Sequence, residues 1–323
     1  MSLQVDKLSK RYDDKWILRD VSFSADRGKV TGIFGTSGAG KSLLLRAIAG
    51  FEKATGSVTF DSNAVSRLNP QARKFYLPGR PGSSFLERLT RSNTSARLSS
   101  GERAAGLLAA ALESPNNVLL LDDPFCSMDD SLKHGFIHEL RQAVSERNVA
   151  VVLATCDYQE VFAVCDSVAV LIGGAIEQTG TPQSVYSNPS SFESARMTGP
   201  NNLFEARRLT SSKSDNPQFQ TLIGEHRLIV NKIERSGLGA INRNIWLGIR
   251  PEHISIAFGA SFPEDNLLKA VITKVRLLGS TTLVELDANG LPMKALVLRL
   301  VGLNVGDDCM LGLPPDRIQV FKR

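Results

Sequence analysis

The sequence predicts two domains: an α/β domain with a largely parallel sheet over residues 1–200, and a small all-β domain over residues 201–323. In the first part, helical runs alternate with strands such as VLLL and VAVVLA, and strands that are apolar throughout are typical of sheets covered on both faces. From Asn201 onwards, short strands separated by turns replace the helical pattern, as in a barrel or sandwich. The stretch 187–205 is rich in Pro, Ser and Asn and suits a linker.

Residues 1–65 predict short strands (LQVDKL, WILRDVSFSA, KVTGIFG and GSVTF) and one helix, LLLRAIAGF, which follows a glycine-rich turn. Residues 66–97 are the least regular part and predict a loop or a reduced subdomain, because Pro, Gly, Ser, Arg and Asn dominate them. The helices GERAAGLLAAALE, DSLKHGFIHELRQAVSER and YQEVFAVC then alternate with the strands NVLLLDD, VAVVLATC and SVAVLI.

The composition, 42% hydrophobic and 22% charged, excludes a collagen-like, disordered or low-complexity protein. No apolar run approaches the roughly 18–20 residues that cross a bilayer, and MSLQVDKLSKRYDD lacks the apolar core of a secretory signal, so we expect the protein to stay in the cytoplasm. The net charge of +5 permits an anionic partner, but no Lys/Arg block interleaved with aromatics indicates nucleic acid. The cysteines form no CxxC pair and are expected to be buried apolar groups without disulfides: Cys126, Cys156, Cys165 and Cys309.

A glycine-rich segment between the strand VTGIF and the helix LLLRAIAG fits GxxxxGK[ST], in the context where this motif cradles phosphate. Its glycines let backbone N–H groups turn inward onto phosphate oxygens, Lys41 neutralises the charge of the β- and γ-phosphates, and the Ser42 hydroxyl can bind Mg²⁺. The motif consists of Gly35, Thr36, Ser37, Gly38, Ala39, Gly40, Lys41 and Ser42.

The segment VLLLDD supplies the carboxylates that such a site needs. Asp122 is expected to hold the metal ion through water, and Asp123 lies where a general base could polarise an attacking water. An apolar strand that ends in two acids is also a common strand exit. Its place after a phosphate loop in one α/β domain favours the functional interpretation.

The segments around these motifs resemble ATP-binding-cassette (ABC) ATPases. LSSGE (98–102), before an Ala/Leu-rich helix, is similar to the LSGGQ signature, and PFCSMD (124–129) resembles the D-loop that follows the family's Walker B strand. ATCD (154–157) with Glu160, followed by GGAIEQTGTPQSVYSNP, resembles the switch-histidine region of bacterial importer ATPases. GPNNLF and LGIRPEHISIA resemble the start of the C-terminal TOBE-type domain of the sulfate/molybdate, spermidine, ferric-iron and maltose importers.

The resemblance implies a P-loop, ABC-type nucleotide-binding domain with a reduced helical subdomain, followed by an OB- or TOBE-like β-domain. It implies ATP and Mg²⁺ as ligands, Tyr12 as the aromatic that stacks on adenine, and Ser99 and Gly101 as residues that act on the nucleotide of a second subunit. The implied partners are a second copy or another ABC ATPase, an integral membrane permease and a solute-binding protein. The chain would lie peripherally on the cytoplasmic face of the cell membrane.

Four departures from the family pattern bear on the chemistry. Pro78 stands where the resemblance places the Q-loop glutamine, and proline lacks that side chain and its own N–H. Cys156 stands at the switch histidine, and a thiol is a weak donor that is mostly neutral at pH 7. Asp123 replaces the glutamate taken as the general base and is one methylene shorter. The stretch from Ser42 to Leu98 is shorter than the family's helical subdomain requires.

Two functions follow from these motifs. The first is the ATPase subunit of an ABC-type solute importer, which binds ATP and Mg²⁺, couples to a permease and hydrolyses weakly. The second is a hydrolysis-deficient nucleotide-binding regulatory or partner subunit, which the joint loss of glutamine, histidine and glutamate favours. In the signature, Ser100 for Gly and Glu102 for Gln also weaken the composite site. A soluble P-loop kinase is disfavoured by the signature and the C-terminal β-domain.

His134 and His138 lie four positions apart on a predicted helix, a spacing that could present two imidazoles to one metal ion. No third ligand is visible near them in the sequence. We therefore expect both to face solvent.

Overall fold

The computed structural model describes residues 2–78, 100–209, 217–231, 241–258, 266–298 and 302–321. The chain divides into two compact units, Met1–Ser187 and Asn188–Arg323. This division falls in the stretch 187–205, and a boundary after residue 200 stays a prediction. No helix in the described ranges is long and apolar enough to span a membrane.

The first unit alternates strands and helices. Its described strands are β1 (Ser2–Tyr12), β2 (Lys15–Asp26), β3 (Lys29–Phe34), β4 (Thr55–Phe60), β5 (Asn63–Ala64), β6 (Phe75–Tyr76), β7 (Val118–Asp122), β8 (Ala150–Thr155), β9 (Ser167–Ile172) and β10 (Ala175–Gly180). Its described helices are α1 (Lys41–Ala49), α2 (Pro70–Arg73), α3 (Ser100–Glu113), α4 (Asp130–Arg147), α5 (Tyr158–Val164) and α6 (Pro182–Ser187).

A six-stranded sheet with the order β10-β9-β3-β8-β7-β6 forms the centre of this unit. All its neighbouring strands run parallel except β10, which pairs antiparallel with β9 at one edge. The central strands β7 and β8 are apolar and buried almost throughout, which confirms the predicted α/β fold. Because β3, β7 and β8 end at one edge of the sheet, the residues that follow them lie close together: Gly35, Asp123 and Cys156.

A second, antiparallel sheet with the order β2-β1-β4-β5 packs on the same core. The helix α1 contributes the apolar residues Leu44, Leu45 and Ile48, whose spacing puts them on one buried face. Gly50 ends the helix in a left-handed conformation (φ +88°), and its N–H donates to the carbonyl of Ala47. The long β1–β2 hairpin and the central sheet therefore enclose α1 between them.

A buried arginine closes the C-terminal end of α1. The guanidinium of Arg73 donates to the carbonyl oxygens of Ala47 (3.1 Å) and Ile48 (2.6 Å) at the end of the helix. It also donates to Ser66 O (2.7 Å) and Leu68 O (3.1 Å) in the segment that precedes α2. Burial lowers the pKa of Arg73 from its usual range. One side chain thus supplies donors to carbonyl oxygens at the helix end, where Ala47 O also accepts from Gly50 N–H.

The second unit contains two five-stranded antiparallel sheets, with the orders β13-β12-β11-β14-β20 and β15-β19-β16-β17-β18. The inner faces of both sheets form a separate apolar core, so the predicted all-β domain is confirmed. A short helix, α7 (Phe192–Met197), occupies part of the stretch that the sequence indicated as a linker. The described strands are β11 (Asn202–Arg208), β12 (Gln218–Thr221), β13 (Arg227–Ile229), β14 (Asn244–Ile249), β15 (Ser255–Ala257), β16 (Asn266–Leu277), β17 (Thr282–Ala288), β18 (Leu291–Val297), β19 (Asp308–Leu313) and β20 (Gln319–Phe321).

We expect Arg73→Met to lower the free energy of unfolding by about 2–3 kcal/mol, because it removes the guanidinium donors of carbonyl oxygens around the end of α1. The matched control is Arg67→Met, since Arg67 lies in the same segment and is exposed, and surface changes usually stay within about 0.5 kcal/mol. Urea unfolding followed by circular dichroism measures both. Equal losses in the two variants would contradict the capping role.

Candidate nucleotide-binding site

Residues 35–40 link β3 to α1 in a turn built on glycine. Gly38 and Gly40 have left-handed backbones (φ +81° and +102°), which glycine adopts without strain. A Cβ at Gly35 would lie 2.6 Å from the carbonyl oxygen of Leu171 in β9, so the loop begins in direct contact with the sheet. At Gly38 no heavy atom of the described residues lies within 4 Å of the Cβ position. The loop backbone is thus open to a ligand at this point.

Lys41, the first residue of α1, carries a buried ammonium group beside this loop. The residue is 5% exposed, and its Nζ donates to the carbonyl oxygens of Gly35 (2.8 Å) and Thr36 (3.1 Å). An ammonium group has three N–H donors, so one remains for a ligand after these two bonds. The first N–H groups of α1 lack intrahelical acceptors and add positive potential at the same end. Together these groups suit an anion.

The next residue brings a hydroxyl and a carboxylate together. Ser42 Oγ donates to Asp122 Oδ1 at 3.2 Å, although the two residues are 80 positions apart in the sequence. The contact forms because α1 packs against β7, which ends at Asp122. Hydroxyl and carboxylate oxygens are ligands that Mg²⁺ prefers in proteins. The structure therefore brings together the two residues for which the sequence predicts metal binding.

The residues present fit a nucleoside triphosphate with a divalent cation. The space at Gly38 is open because glycine has no side chain to fill it, and the ammonium group of Lys41 lies beside the same loop. Within the described ranges no group of three or more His, Cys, Asp or Glu side chains could hold a metal ion. A cation at Ser42 and Asp122 would thus take further ligands from phosphate and water, which is how Mg²⁺ commonly binds.

Asp123 lies at a sharp bend after β7. Its backbone is left-handed (φ +46°), and Asp populates that region more often than most residues. Its N–H donates to the carbonyl of Ala154 in β8 (2.8 Å), and its own carbonyl accepts from Cys126 N (3.3 Å). These bonds fix the bend to the adjacent strand. Its role as general base stays a prediction.

The turn after β8 carries Cys156, whose side chain is exposed. On one side of it, the carbonyl of Thr155 accepts from Gly35 N–H (3.3 Å), the first residue of the phosphate loop. On the other side, Asp157 N–H donates to Thr155 Oγ1 (3.0 Å), and Asp157 caps α5 by accepting from Gln159 N–H (2.8 Å). Cys156 is therefore held next to a residue that contacts the phosphate loop.

Behind this turn, a partly buried lysine of α4 pairs with a buried glutamate of α5. Lys133 Nζ lies 2.9 Å from Glu160 Oε1 and 3.4 Å from Asp157 Oδ2. Thr155 Oγ1 donates to the other carboxylate oxygen of Glu160 at 2.5 Å. Burial lowers the pKa of Lys133, but the hydrogen bond and charge of Glu160, and then of Asp157, outweigh burial, so that the pKa is raised.

Sequence reasoning names Glu160 only as part of a motif and misses Lys133. A local signal was present for Glu160, since Val161 and Val164 lie one and four positions after it and all three are buried on one face of α5. An acid on an apolar helix face indicates a buried partner. The identity of that partner depends on how α4 packs, which no local pattern indicates.

Tyr12 lies at the end of β1, and its hydroxyl donates to Glu52 Oε2 (3.2 Å). Lys10 Nζ lies 4.8 Å from the Tyr12 ring centroid, and Glu52 also pairs with Arg46 on α1 (3.2 Å). Desolvation and then the charge of Glu52 raise the pKa of Tyr12. Glu52 follows Gly50, so these contacts place the hydroxyl toward the C-terminal end of α1, whereas the phosphate loop lies at its N-terminal end. Stacking on adenine stays a prediction.

The signature segment is partly described. Ser99 lies outside the described residues, while Gly101 opens α3 and is buried. A Cβ at Gly101 would lie 2.8 Å from the carbonyl oxygen of Ser127, in the loop that follows Asp123. The helix start and this loop are therefore in direct backbone contact. Pro78 lines a small cavity together with Asp122, and its correspondence to the Q-loop glutamine stays a prediction.

The expectation that every cysteine is buried is wrong for two of the four. All are free; Cys165 and Cys309 are buried, while Cys126 and Cys156 are exposed. Burial raises the pKa of Cys165 to about 12, so this thiol stays protonated at neutral pH. The exposed pair follows β7 and β8, beyond the end of each apolar strand. The two histidines of α4 are exposed, as expected.

Models of known families match both units. The ABC transporter model matches residues 18–77, which include the phosphate loop, and the TOBE domain model matches residues 247–321. The two matches lie in the predicted order, with the ABC transporter segment first and the TOBE segment second.

Curated proteins of similar sequence are import ATP-binding proteins. The spermidine/putrescine import ATP-binding protein PotA of Legionella pneumophila is 26% identical, over 88% of this chain and 86% of that protein. The maltose/maltodextrin import ATP-binding protein MalK of Mannheimia succiniciproducens is 26% identical, over 98% of this chain and 94% of that protein. The sulfate/thiosulfate import ATP-binding protein CysA of Bacillus cereus is 27% identical, over 99% and 98%. The similarity therefore extends through both units.

Among solved structures, a nucleotide-free ATP-binding cassette from an ABC transporter superposes with a TM-score of 0.54 at 20% identity. The match covers 60% of this chain and 99% of that chain. At this identity the likeness shows the fold, which is that of an ABC ATPase domain.

Gly35→Ala is expected to lower the free energy of unfolding by about 1–3 kcal/mol, because the new methyl group would meet the Leu171 carbonyl oxygen. Gly106→Ala is the matched control, since nothing lies within 4 Å of its Cβ position in α3, and alanine in a helix interior gains about 1 kcal/mol over glycine. Thermal unfolding of both variants measures the difference. A stable Gly35→Ala protein would refute the tight contact.

Proposed function

We propose that the chain is the ATP-binding subunit of an ABC-type solute importer, which binds ATP with Mg²⁺ and hydrolyses it slowly. The single observation that carries the proposal is the buried ammonium of Lys41 at an open glycine loop, one residue before the Ser42–Asp122 pair. A cationic group, backbone N–H donors and two oxygen ligands at one helix end are what a metal-bound triphosphate requires. The names of the similar proteins support the transport role.

Each group has its own task in binding. The backbone N–H groups of residues 36–42 would hold phosphate oxygens, and Lys41 would neutralise their charge. Ser42 and Asp122 would hold the Mg²⁺ ion, which supplies charge neutralisation when it is bound. Asp123, fixed to Ala154, would orient the water for attack on the phosphate.

Slow hydrolysis follows from the side chains that replace the family's catalytic groups. Cys156 offers a weak S–H donor at the position of the switch histidine, and Pro78 offers no side-chain donor beside Asp122. Asp123 is one methylene shorter than glutamate, so its carboxylate reaches less far from its fixed backbone. The same observations favour the second candidate, a regulatory or partner subunit that binds nucleotide without hydrolysis.

The proposal includes partners. We propose that the chain pairs with a second copy or with another ABC ATPase, so that Ser99 and Gly101 act on the nucleotide of the other subunit. This part of the proposal rests on the resemblance of LSSGE (98–102) to the LSGGQ signature. A membrane permease and a solute-binding protein complete the importer, and the chain lies peripherally on the cytoplasmic side of the membrane.

Lys41→Ala is expected to weaken ATP binding by roughly 100-fold, since hydrogen bonds to charged groups contribute about 1.5–3 kcal/mol each. Lys29→Ala is the matched control, because Lys29 is exposed at the far end of β3. Isothermal titration with ATP and Mg²⁺ measures both affinities. If the wild-type chain shows no affinity that depends on Lys41, the proposed function fails.

Restoring the family's groups by Cys156→His and Asp123→Glu is expected to raise phosphate release by about 10²-fold per group, within the range of general acid–base effects. The Lys41→Ala/Cys156→His double variant controls for contaminating ATPases. Wild-type turnover of about 1–10 s⁻¹, ordinary for an enzyme, would contradict slow hydrolysis. Tight ATP binding without release in any variant would favour the regulatory subunit.

A further inference from the structure

The ion pair of Lys133 with the buried Glu160 has no direct contact with the phosphate loop in the described part of the structure and is not part of the apolar core. Glu160 is 4% exposed, and both of its carboxylate oxygens are engaged, by Thr155 Oγ1 and by Lys133 Nζ. We propose that Glu160 and Lys133 are positioning residues, which act through Thr155 to hold the turn of Cys156 against the phosphate loop. The inference rests on the proposed function only in taking that loop as the nucleotide site.

A continuous chain of contacts joins the pair to the loop. Lys133 Nζ binds Glu160 Oε1, and Glu160 Oε2 accepts from Thr155 Oγ1. The same hydroxyl oxygen accepts from Asp157 N–H, which closes the turn around Cys156. The carbonyl of Thr155 accepts from Gly35 N–H. A shift of the Glu160 carboxylate would therefore be transmitted to the first residue of the loop.

The same pair fixes the loop after β7. Lys133 lies one turn into α4, and its own N–H donates to the carbonyl of Asp129 (2.9 Å). The side chain of Asp129 caps α4 by accepting from Leu132 N–H (2.9 Å). Lys133 thus ties the end of the loop 123–129 to the turn 155–157. The segments that carry Asp123 and Cys156 are held in one arrangement.

Stability alone does not account for a charged pair at this place. Burying the carboxylate of Glu160 beside the partly buried ammonium group of Lys133 costs solvation energy, and well-packed apolar residues of similar volume often stabilise a fold equally well or better. Fixing one arrangement of polar groups is a role that apolar contacts fill poorly, since only hydrogen bonds define the direction of a hydroxyl. Here the directed hydroxyl is that of Thr155, which closes the turn.

The test compares two cations of the same helix. Lys133→Met removes the ammonium from Glu160, while Arg141→Met removes a guanidinium that pairs with Asp166 (3.2 Å). Asp166 accepts from Val30 N–H at the opposite end of β3, so the control breaks a similar pair away from the loop. Amide hydrogen exchange without nucleotide, resolved to single residues and compared with global unfolding, is the readout.

We expect Lys133→Met to speed exchange of the Gly35 and Asp157 amides by at least about fivefold, while Arg141→Met leaves them within about twofold of wild type. Equal acceleration in both variants, or none in Lys133→Met, overturns the proposal. A purely structural pair would lower the melting temperature without singling out these amides.

A second pair of variants carries the test if Lys133→Met does not fold. Thr155→Val keeps the shape but removes the hydroxyl, and Thr155→Ser keeps the hydroxyl. We expect the Gly35 amide to exchange at least about fivefold faster in Thr155→Val and at the wild-type rate in Thr155→Ser. Fast exchange in both, or in neither, overturns the proposal.

ATP titration separates this inference from the proposed function. Faster exchange in Lys133→Met together with no Lys41-dependent ATP binding in the wild type would support the positioning role and refute the nucleotide site. Unchanged exchange together with Lys41-dependent binding would refute the positioning role and leave the nucleotide site standing.

Discussion

The close approach of Gly35 to two neighbouring strands is the constraint on which the site depends. Its N–H donates to Thr155 O at the end of β8, and its Cα lies so close to Leu171 O of β9 that no Cβ fits. This contact fixes where the loop begins and so sets the direction of α1. The helix then places Lys41 beside the loop carbonyls and Ser42 beside Asp122. A glycine in contact with the sheet therefore determines the geometry of charged groups several residues away.

In the proposed function, the groups for binding and the groups for hydrolysis come from different parts of the fold. The phosphate cradle and its ammonium group lie in one short segment between β3 and α1, so local backbone geometry largely determines them. Asp123 and Cys156 follow two other strands, β7 and β8, and reach the same edge only because the strands run parallel. The side chains at positions 123 and 156 thus lie outside the segment that forms the cradle, although the backbone at Thr155 contacts its first residue.

The sequence predicts what local patterns determine. The alternation of helices with apolar strands indicated the α/β unit, and short strands separated by turns indicated the all-β unit. The GxxxxGK[ST] and VLLLDD segments indicated Lys41 and Asp122 as residues of the candidate site. The partners of Arg73 and of Lys133, which lie far from them in the sequence, were not predictable. Arg73 at the end of α1 and Lys133 at Glu160 bind groups whose proximity depends on how helices pack. The exposed thiol of Cys156 was misjudged because composition indicates how often a residue type is buried, and not where a strand ends.

The contacts that hold the turn around position 156 are formed although the side chain at this position is a thiol. Thr155 and Asp157 close the turn, and Glu160 and Lys133 hold Thr155 from behind. Contacts that served only to place the imidazole of a switch histidine would have no role in a chain with cysteine at this position. The carbonyl of Thr155, however, also accepts from Gly35 N–H. The same contacts therefore hold the first residue of the phosphate loop, whichever residue stands at 156. Under the proposed function, the ion pair of Lys133 and Glu160 would therefore support nucleotide binding without any need for hydrolysis, because the group that it positions is the backbone of the loop.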